Sequence, residues 1–290
     1  MQSTDRHLLE QLAQDGPDLI NYGPLEDVLQ RIFHSPNKPA NYAEARDILR
    51  NCLNVDTLQG FALHKPHGYA GDFEIIDKIY TEHRSECSRM RRWDDFFHAQ
   101  AATRAVRNRK QYFHELLENI SRAHGPVSVL NVAAGPARCV HEWLSRFTES
   151  HVTFDRIDND LSAIQYATKL NKRHHGQIFF AKANVFKFET QRRYDLIWTA
   201  GRCDYFDDDG FVTLIKRLIS CVAPRGELVL GNFSTHNSSR AYMEVIGDWK
   251  LEHRSRQHLE FLAQRAGIPA GSVFVDSEPE GVNLFLHIKK

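Results

Sequence analysis

The sequence predicts an α/β protein in which a seven-stranded sheet follows an N-terminal helical region. Up to about residue 124 the apolar residues recur at helical spacing, as in Leu25, Val28 and Ile32. Beyond Gly125, short apolar runs alternate with helical stretches, which is typical of parallel strands covered on both faces. We therefore expect a helical cap over residues 1–124 and a sheet domain over residues 125–290.

The individual strands are predicted from short runs of apolar and β-branched residues. Five runs are the expected parallel strands: VSVLNV (127–132), VTFDRID (152–158), QIFFAKA (177–183), YDLIWTA (194–200) and ELVLGNF (227–233). SVFVDSE and NLFLHIK are separated by Pro279-Glu280-Gly281 and are expected to form a terminal hairpin. Helices are expected over residues 137–147, 162–170 and 211–222, with Pro136 in the first turn of the first of them.

Residues 85–120 are expected to form one or two long helices. Arg104, Arg107 and Arg109 lie in this stretch, and we expect them to be a solvated helix face rather than a binding surface. His64 and His67 flank Pro66, which argues against a helix that would hold the pair ready for a metal.

Composition excludes several classes of function. Lys and Arg number 37, as do Asp and Glu, so no net positive field favours nucleic acid. The five cysteines are scattered without a CxxC pair, which argues against a zinc site or a disulfide scaffold. The polar start MQSTDRHLLEQL and the lack of a long apolar run predict a cytoplasmic protein that does not enter membranes. No metal is expected, and the sequence does not indicate an oligomeric state.

Candidate binding residues follow the first two strands, because ligands of such sheets lie beyond the carboxyl ends of the strands. The first strand leads into a small-residue loop, including Ala133 and Gly135, which lets the backbone approach a ligand. Asp158 follows the second strand, about 20 residues later, where a carboxylate can accept hydrogen bonds from a ribose. Its neighbour Asn159 is a further candidate, and Asp160 or Asn159 is expected to cap the next helix.

Further candidates follow the third and fourth strands. Asn184 and Val185 are positioned to contact an adenine ring, although an asparagine here is also a common turn residue. Ala200 and Gly201 give the fourth strand a small-residue end that suits a pocket floor. Asp204 and Tyr205 then either position a substrate or are respectively solvated and packed, and the sequence favours neither alternative.

The order of these segments resembles the class I S-adenosylmethionine-dependent methyltransferases. The resemblance rests on NVAAGPAR, FDRIDND, ANVFKF, YDLIWTAG and CVAPRGELVLGNF. It implies a Rossmann-like fold, S-adenosyl-L-methionine as cofactor, and contacts from Gly135 to the methionine end, Asp158 to the ribose and Asn184 to the adenine. Asn131 is also implied in the cofactor site, where an acidic residue is common.

A second resemblance lies upstream, in HKPHGYAGDFEIIDKIY and in AGRCDYFDD. These segments are similar to the GYAGD-containing enzymes of extracellular-factor 3-hydroxypalmitic acid methyl ester biosynthesis and to azetidine-2-carboxylate synthases. The first group implies methylation of a small molecule, for which a carboxylic acid is the expected acceptor. The second implies cyclisation of the cofactor with release of methylthioadenosine. Methyl transfer is the first expectation, cyclisation the second, and a non-catalytic cofactor-binding protein the third.

The GYAGD segment also supplies the last candidates, Tyr69 and Asp72. We expect the N-terminal helices to act as a lid that excludes water, with Tyr69 and Asp72 facing the cofactor. The alternative is that the segment is a turn in which Asp72 caps the following helix. Tyr69, Asp72, Asp204 and Tyr205 are therefore the expected catalytic residues, with Asp204, Tyr69 or Asp72 serving as a base for an amine acceptor.

Overall fold

The computed structural model describes residues 1–123 and 125–290. His124, the last residue of the expected helical cap, lies outside the described residues. The chain forms two compact units. The first comprises Met1–Arg104 and Asn237–Lys250, and the second comprises Ala105–His236 and Leu251–Lys290.

The helices of the described residues have the following bounds in chain order: α1 Ser3–Asp15, α2 Leu19–Phe33, α3 Lys38–Ile48, α4 Leu58–His64, α5 Phe73–Tyr80, α6 Ser88–Ala99, α7 Ala101–Ala123, α8 Arg138–Arg146, α9 Leu161–Leu170, α10 Asp208–Ile219, α11 Arg240–Val245 and α12 Arg256–Arg265. The strands are β1 Val127–Val132, β2 Val152–Asp158, β3 Ile178–Lys182, β4 Tyr194–Thr199, β5 Val222–Phe233, β6 Val273–Ser277 and β7 Asn283–Lys289. None of the helices described is long and apolar enough to cross a membrane.

The second unit is built on a seven-stranded sheet in the order β3-β2-β1-β4-β5-β7-β6. Strands β1 to β5 run parallel, and β7 is antiparallel to both β5 and β6. The predicted seven-stranded α/β sheet and its terminal hairpin are therefore confirmed. Because the five parallel strands point the same way, the loops after β1, β2, β3, β4 and β5 emerge at one edge.

Both faces of this sheet are buried. On one face α7 and α8 pack through residues such as Phe113, Leu117 and Trp143. On the other face α10 and α12 pack through residues such as Phe211 and Leu259. Double coverage explains why the parallel strands are near-continuous apolar runs rather than alternating ones.

The 85–120 stretch forms two long helices, one of the two alternatives expected, because the extended backbone at Gln100 separates α6 from α7. Two other expected boundaries are wrong. Pro136 lies before α8 rather than in its first turn, because Ala137 adopts a left-handed φ of 61° and the helix begins after it. The helix expected to reach Val222 ends at Ile219, since Val222 already pairs with Tyr194 as the start of β5.

The close approach of β5 to the end of β4 depends on a glycine. A Cβ built on Gly231 would lie 2.9 Å from Cα of Ala200 and 3.2 Å from its carbonyl oxygen. Real Cβ atoms do not come this close to backbone, so a larger residue must displace the end of β4. Gly231 therefore sets the position of Ala200 at the functional edge, by which we mean the edge of the sheet where the loops after β1 to β5 emerge and where the candidate residues lie.

We predict that Gly231→Ala lowers the free energy of unfolding by about 1–3 kcal/mol, because the added methyl group forces two backbones apart. Urea denaturation followed by circular dichroism measures this change. Gly271→Ala is the matched control, since a Cβ there meets no atom within 4 Å. Equal stability of the Gly231 and Gly271 variants would contradict the steric argument.

Candidate functional site

The loop after β1 has an unusual backbone. Ala133, Gly135 and Ala137 have φ values of 51°, 52° and 61°, in the left-handed region. For the two alanines this conformation costs on the order of 1–2 kcal/mol each, and such strain concentrates at ligand-binding loops. A Cβ on Gly135 would meet no atom within 4 Å, so the space beside the loop is open. The loop can therefore bring its backbone close to a ligand.

Asp158 connects this loop to the end of β2. Its Oδ2 accepts a hydrogen bond from the Gly135 amide at 3.0 Å, and its Oδ1 accepts one from the Asp160 amide at 3.0 Å. Asp160 in turn caps α9 by accepting from the Ser162 amide at 2.8 Å, which confirms the predicted cap. Asn159 is exposed between the two aspartates. The structure thus brings Gly135, Asp158 and Asn159 together.

A buried arginine on β2 also holds the loop after β1. Arg156 lies on β2 directly opposite Asn131 of β1, and both residues are buried. The Arg156 guanidinium donates a hydrogen bond to the carbonyl oxygen of Ala134. The loop is therefore held by two side chains from the end of β2. Sequence reasoning assigned Arg156 no role, because it lies within an otherwise apolar strand.

The loop after β3 carries Asn184 and Val185. Asn184 is exposed, and its Oδ1 accepts a hydrogen bond from the Phe186 amide at 2.9 Å, which is the turn geometry left open by the sequence. Val185 is half-buried against the core. Phe186 meets Phe206 edge-on with ring centroids 4.9 Å apart, so the loops after β3 and β4 are in contact. Contact of Asn184 and Val185 with adenine stays a prediction.

Asp204, after β4, is fully buried rather than solvated. Its Oδ1 accepts from the Phe233 amide at 2.5 Å, and its backbone carbonyl accepts from the Glu252 amide at 2.8 Å. Burial raises the pKa of Asp204 to about 6, opposed by the Phe233 amide and by the positive charges of Arg109 and Arg254. Asp204 therefore ties the loop after β4 to the end of β5.

Tyr205 is half-buried, and the exposed guanidinium of Arg202 lies 5.8 Å from the centre of its ring. The strand β4 is followed directly by Ala200, which is buried, and Gly201, which is half-buried. These three residues lie at the same edge of the sheet as Asp158. Their catalytic and binding roles stay predictions.

Arg109 corrects an expectation. The sequence pattern predicts a solvated helix face for it, but its side chain is buried and only 7% of the residue surface is exposed. Its Nη1 donates to the carbonyl oxygen of Ala200 at 2.8 Å. The sequence does contain a signal for the burial of Arg109, because this residue lies four residues from Ala105 and four from Phe113, both fully buried. Helical spacing therefore puts Arg109 on the buried stripe of α7.

A cleft of about 400 Å³ opens at the ends of β4 and β5. Its lining residues carry four carboxylates, one guanidinium and two imidazoles: Asp207, Asp208, Asp209, Glu252, Arg254, His253 and His258. Asp208 Oδ1 accepts a hydrogen bond from Arg254 Nε at 3.0 Å, and Asp208 Oδ2 lies 2.8 Å from His258 Nε2. Burial of Asp208 works against its ionisation, but these two hydrogen bonds prevail and lower its pKa.

Tyr69 and Asp72 belong to the first unit. Asp72 is buried, and its Oδ1 accepts from the amides of Glu74 and Ile75, each at 2.9 Å, as the N-cap of α5. Burial raises the pKa of Asp72. Tyr69 is half-buried. The cap, one of the two roles expected for Asp72, is thus present, whereas the catalytic roles of Tyr69 and Asp72 stay predictions.

Within residues 1–123 and 125–290, no group of three or more His, Cys, Asp and Glu side chains is arranged to hold a metal ion. His64 and His67 have separate partners instead. His64 Nε2 lies 2.7 Å from the Leu53 carbonyl oxygen, and His67 Nε2 lies 3.0 Å from Glu74 Oε2.

Comparison with known proteins decides the family. A family profile described as AdoMet-dependent proline di-methyltransferase matches residues 99–268, more than half of the chain. The chain belongs to this family. S-adenosyl-L-methionine is therefore its cofactor, and the predicted resemblance to class I methyltransferases is confirmed. The methyltransferase matches none of the curated proteins at a significant level.

Solved structures support the same fold. A Bordetella parapertussis protein described as a possible exported protein aligns with 18% identity and a TM-score of 0.70, covering 99% of this chain and 96% of its own. Magnesium protoporphyrin IX methyltransferase from Synechocystis, with S-adenosylhomocysteine bound, aligns with 11% identity and a TM-score of 0.51. That alignment covers 65% of this methyltransferase and 86% of the Synechocystis chain.

The residues at the sheet edge fit the cofactor. The open loop at Gly135 offers room for it, and the carboxylate of Asp158 beside that loop has the chemistry to accept hydrogen bonds from ribose hydroxyls, a contact that stays a prediction. Exposed Asn159 and Asn184 flank the same edge. The narrower resemblance to GYAGD enzymes and azetidine synthases stays a prediction.

We predict that Asp158→Ala weakens S-adenosylhomocysteine binding by about 10–100-fold, because charge-assisted hydrogen bonds contribute roughly 1.5–3 kcal/mol each. Isothermal titration calorimetry measures the change. Asp160→Asn is the control, since asparagine also caps helices and the cofactor contact is kept. Unchanged affinity in a folded Asp158→Ala protein would remove Asp158 from the site.

We also predict a pH-dependent loss of stability due to Asp204. Its pKa of about 6 lies above the ordinary value of 3.8, so the folded state favours the protonated acid. The resulting stabilisation is complete below pH 4 and is lost as pH rises through 6, on the order of 2–3 kcal/mol in all. Asp204→Asn cannot ionise, so its free energy of unfolding should lack this decline in denaturation series between pH 4 and 7. Parallel pH curves for the two proteins would contradict the assignment.

Proposed function

We propose that this methyltransferase transfers a methyl group to the nitrogen of a small-molecule amine. The observation that carries the proposal is the acidic cleft at the ends of β4 and β5. Its four carboxylates outnumber the positive charges beside them, even though Asp208 pairs with Arg254 and Asp209 pairs with Arg265. The excess negative charge attracts an ammonium-bearing acceptor, whereas the carboxylic acid expected from sequence would enter as an anion and be repelled. The family description, which names proline, supports a nitrogen acceptor as well.

The position of the cleft also supports this proposal. Cofactor residues are expected after β1, β2 and β3, and the cleft lies after β4 and β5 at the same edge. An acceptor held there would approach the cofactor from the neighbouring strands. Such alignment is the main requirement of a displacement reaction, because it replaces a chance encounter by a fixed geometry.

The chemistry divides between cofactor and chain. S-adenosylmethionine, when bound, supplies a methyl group activated by its sulfonium charge. The cleft carboxylates orient the amine, which must lose a proton before its lone pair can attack. His258 lines the cleft beside Asp208 and is the group that we assign to take this proton. Asp204, expected as a base from sequence, instead has its carboxylate engaged by the Phe233 amide.

The fate of the cofactor tests the proposal. The full chain is incubated with S-adenosylmethionine, with and without a panel of amines and carboxylic acids, and the products are identified by mass spectrometry. We expect S-adenosylhomocysteine and an N-methylated product only when an amine is present, with no loss of turnover in EDTA. A methyl ester would overturn the amine assignment, and methylthioadenosine without acceptor would indicate cyclisation. Cofactor binding without turnover would indicate a non-catalytic protein.

A charge variant tests the cleft itself. We predict that Glu252→Gln raises KM for the amine about 2–5-fold and leaves KM for S-adenosylmethionine unchanged, because one partly solvated charge contributes modestly. Glu189→Gln, an acidic residue whose side chain is 89% exposed outside the cleft, is the matched control. If both variants match the wild type, the acceptor does not use the acidic cleft.

A further inference from the structure

We propose that Arg109 binds the carboxylate at the methionyl end of S-adenosylmethionine. The inference rests on the cofactor placement used above. It assigns a binding role to a residue on α7, a helix that carries none of the candidates expected from sequence. Three features support it: the position of Arg109 along the sheet edge, its burial, and the geometry of its guanidinium group.

Position is fixed by the strand order. With adenine expected at β3 and ribose at Asp158 on β2, the order β3-β2-β1-β4 leaves one direction for the rest of the cofactor. The methionyl chain must extend past β1 toward β4. The end of β4 lies two strand spacings from β2, or about 10 Å, which is comparable to the length of that chain when extended. Arg109 contacts the residue that ends this stretch, Ala200.

Close approach to the β4 end is possible because Gly201 has no side chain. A Cβ built there would lie 3.4 Å from Nη1 of Arg109 and 3.6 Å from Nη2. Both terminal nitrogens of the guanidinium therefore lie in the space that a side chain at position 201 would fill. They form the forked end of the arginine, the part that matches a carboxylate in two parallel hydrogen bonds.

Burial strengthens such a contact. Arg109 is 93% buried by its residue surface, and charge pairs separated from water interact more strongly than exposed ones. The bond from Nη1 to Ala200 fixes the orientation of the guanidinium before a ligand arrives. A structural alternative exists, because the charge of Arg109 also acts on the buried carboxylate of Asp204. The two roles predict different effects of an Arg109 mutation on the affinities of ligands with and without the carboxylate.

The experiment compares two ligands that differ by one group. S-adenosylhomocysteine and its decarboxylated form, which keeps the amine, are titrated by calorimetry into the wild type, Arg109→Gln and Arg109→Lys. We expect Arg109→Gln to weaken S-adenosylhomocysteine binding about 10–100-fold and to leave the decarboxylated ligand within about twofold of wild type. Arg109→Lys should fall between, because lysine keeps the charge and loses the fork. Arg122→Gln, an exposed arginine on the same helix, should change neither affinity.

Each outcome has a distinct meaning. An equal loss for both ligands would show that Arg109 supports the fold or Asp204, and would overturn the inference, as would no loss for either. If Arg109→Gln melts early, the same ratio of ligand affinities is read from Arg109→Lys. Failure of the wild type to bind either ligand would overturn the cofactor placement itself, and with it the proposed function.

Discussion

The carboxylate of Asp158 is the constraint on which the functional edge depends. One of its oxygens holds the Gly135 amide and the other holds the Asp160 amide, so the loops after β1 and β2 are fixed to each other. The strained backbone at Ala133 and Ala137 persists only because such contacts over-determine it. Asp158 thus holds the loop that is predicted to approach the cofactor, in addition to its own predicted contact with the ribose.

Buried charge is concentrated at the ends of β4 and β5. Arg254 is almost fully enclosed and donates to Asp208, Asn232 and the Phe206 carbonyl, while Asp204 accepts the Phe233 amide. Charges removed from water are tolerated when each has hydrogen-bonding partners, and such networks then allow few alternative arrangements. The edge at which we propose that the acceptor binds is therefore rigid, which suits a reaction that depends on alignment.

The strands could be predicted because burial on both faces leaves a simple apolar signal, and β1 and β2 begin and end where the sequence places them. Side-chain roles were harder to predict. Arg109 and Asp204 belong to charged residue types that are usually exposed, and their burial depends on contacts with Ala200 and Phe233, far away in sequence. The acidic cleft was missed for the same reason, since Asp207 and Glu252 meet only after the chain returns from β5.

The first unit cannot finish folding until late in synthesis, because it is built from two segments that lie far apart in the sequence. Arg46 on α3 donates to the carbonyls of Glu244 and Val245, and Lys65 pairs with Asp248 at 2.7 Å. These partners lie in the segment that follows β5, so Val245 is synthesised 199 residues after Arg46. At ordinary translation speeds this delay is roughly 10–40 s. During that time the leading helices emerge from the ribosome without the segment that completes them, and the whole sheet sequence up to β5 is made before they can finish folding.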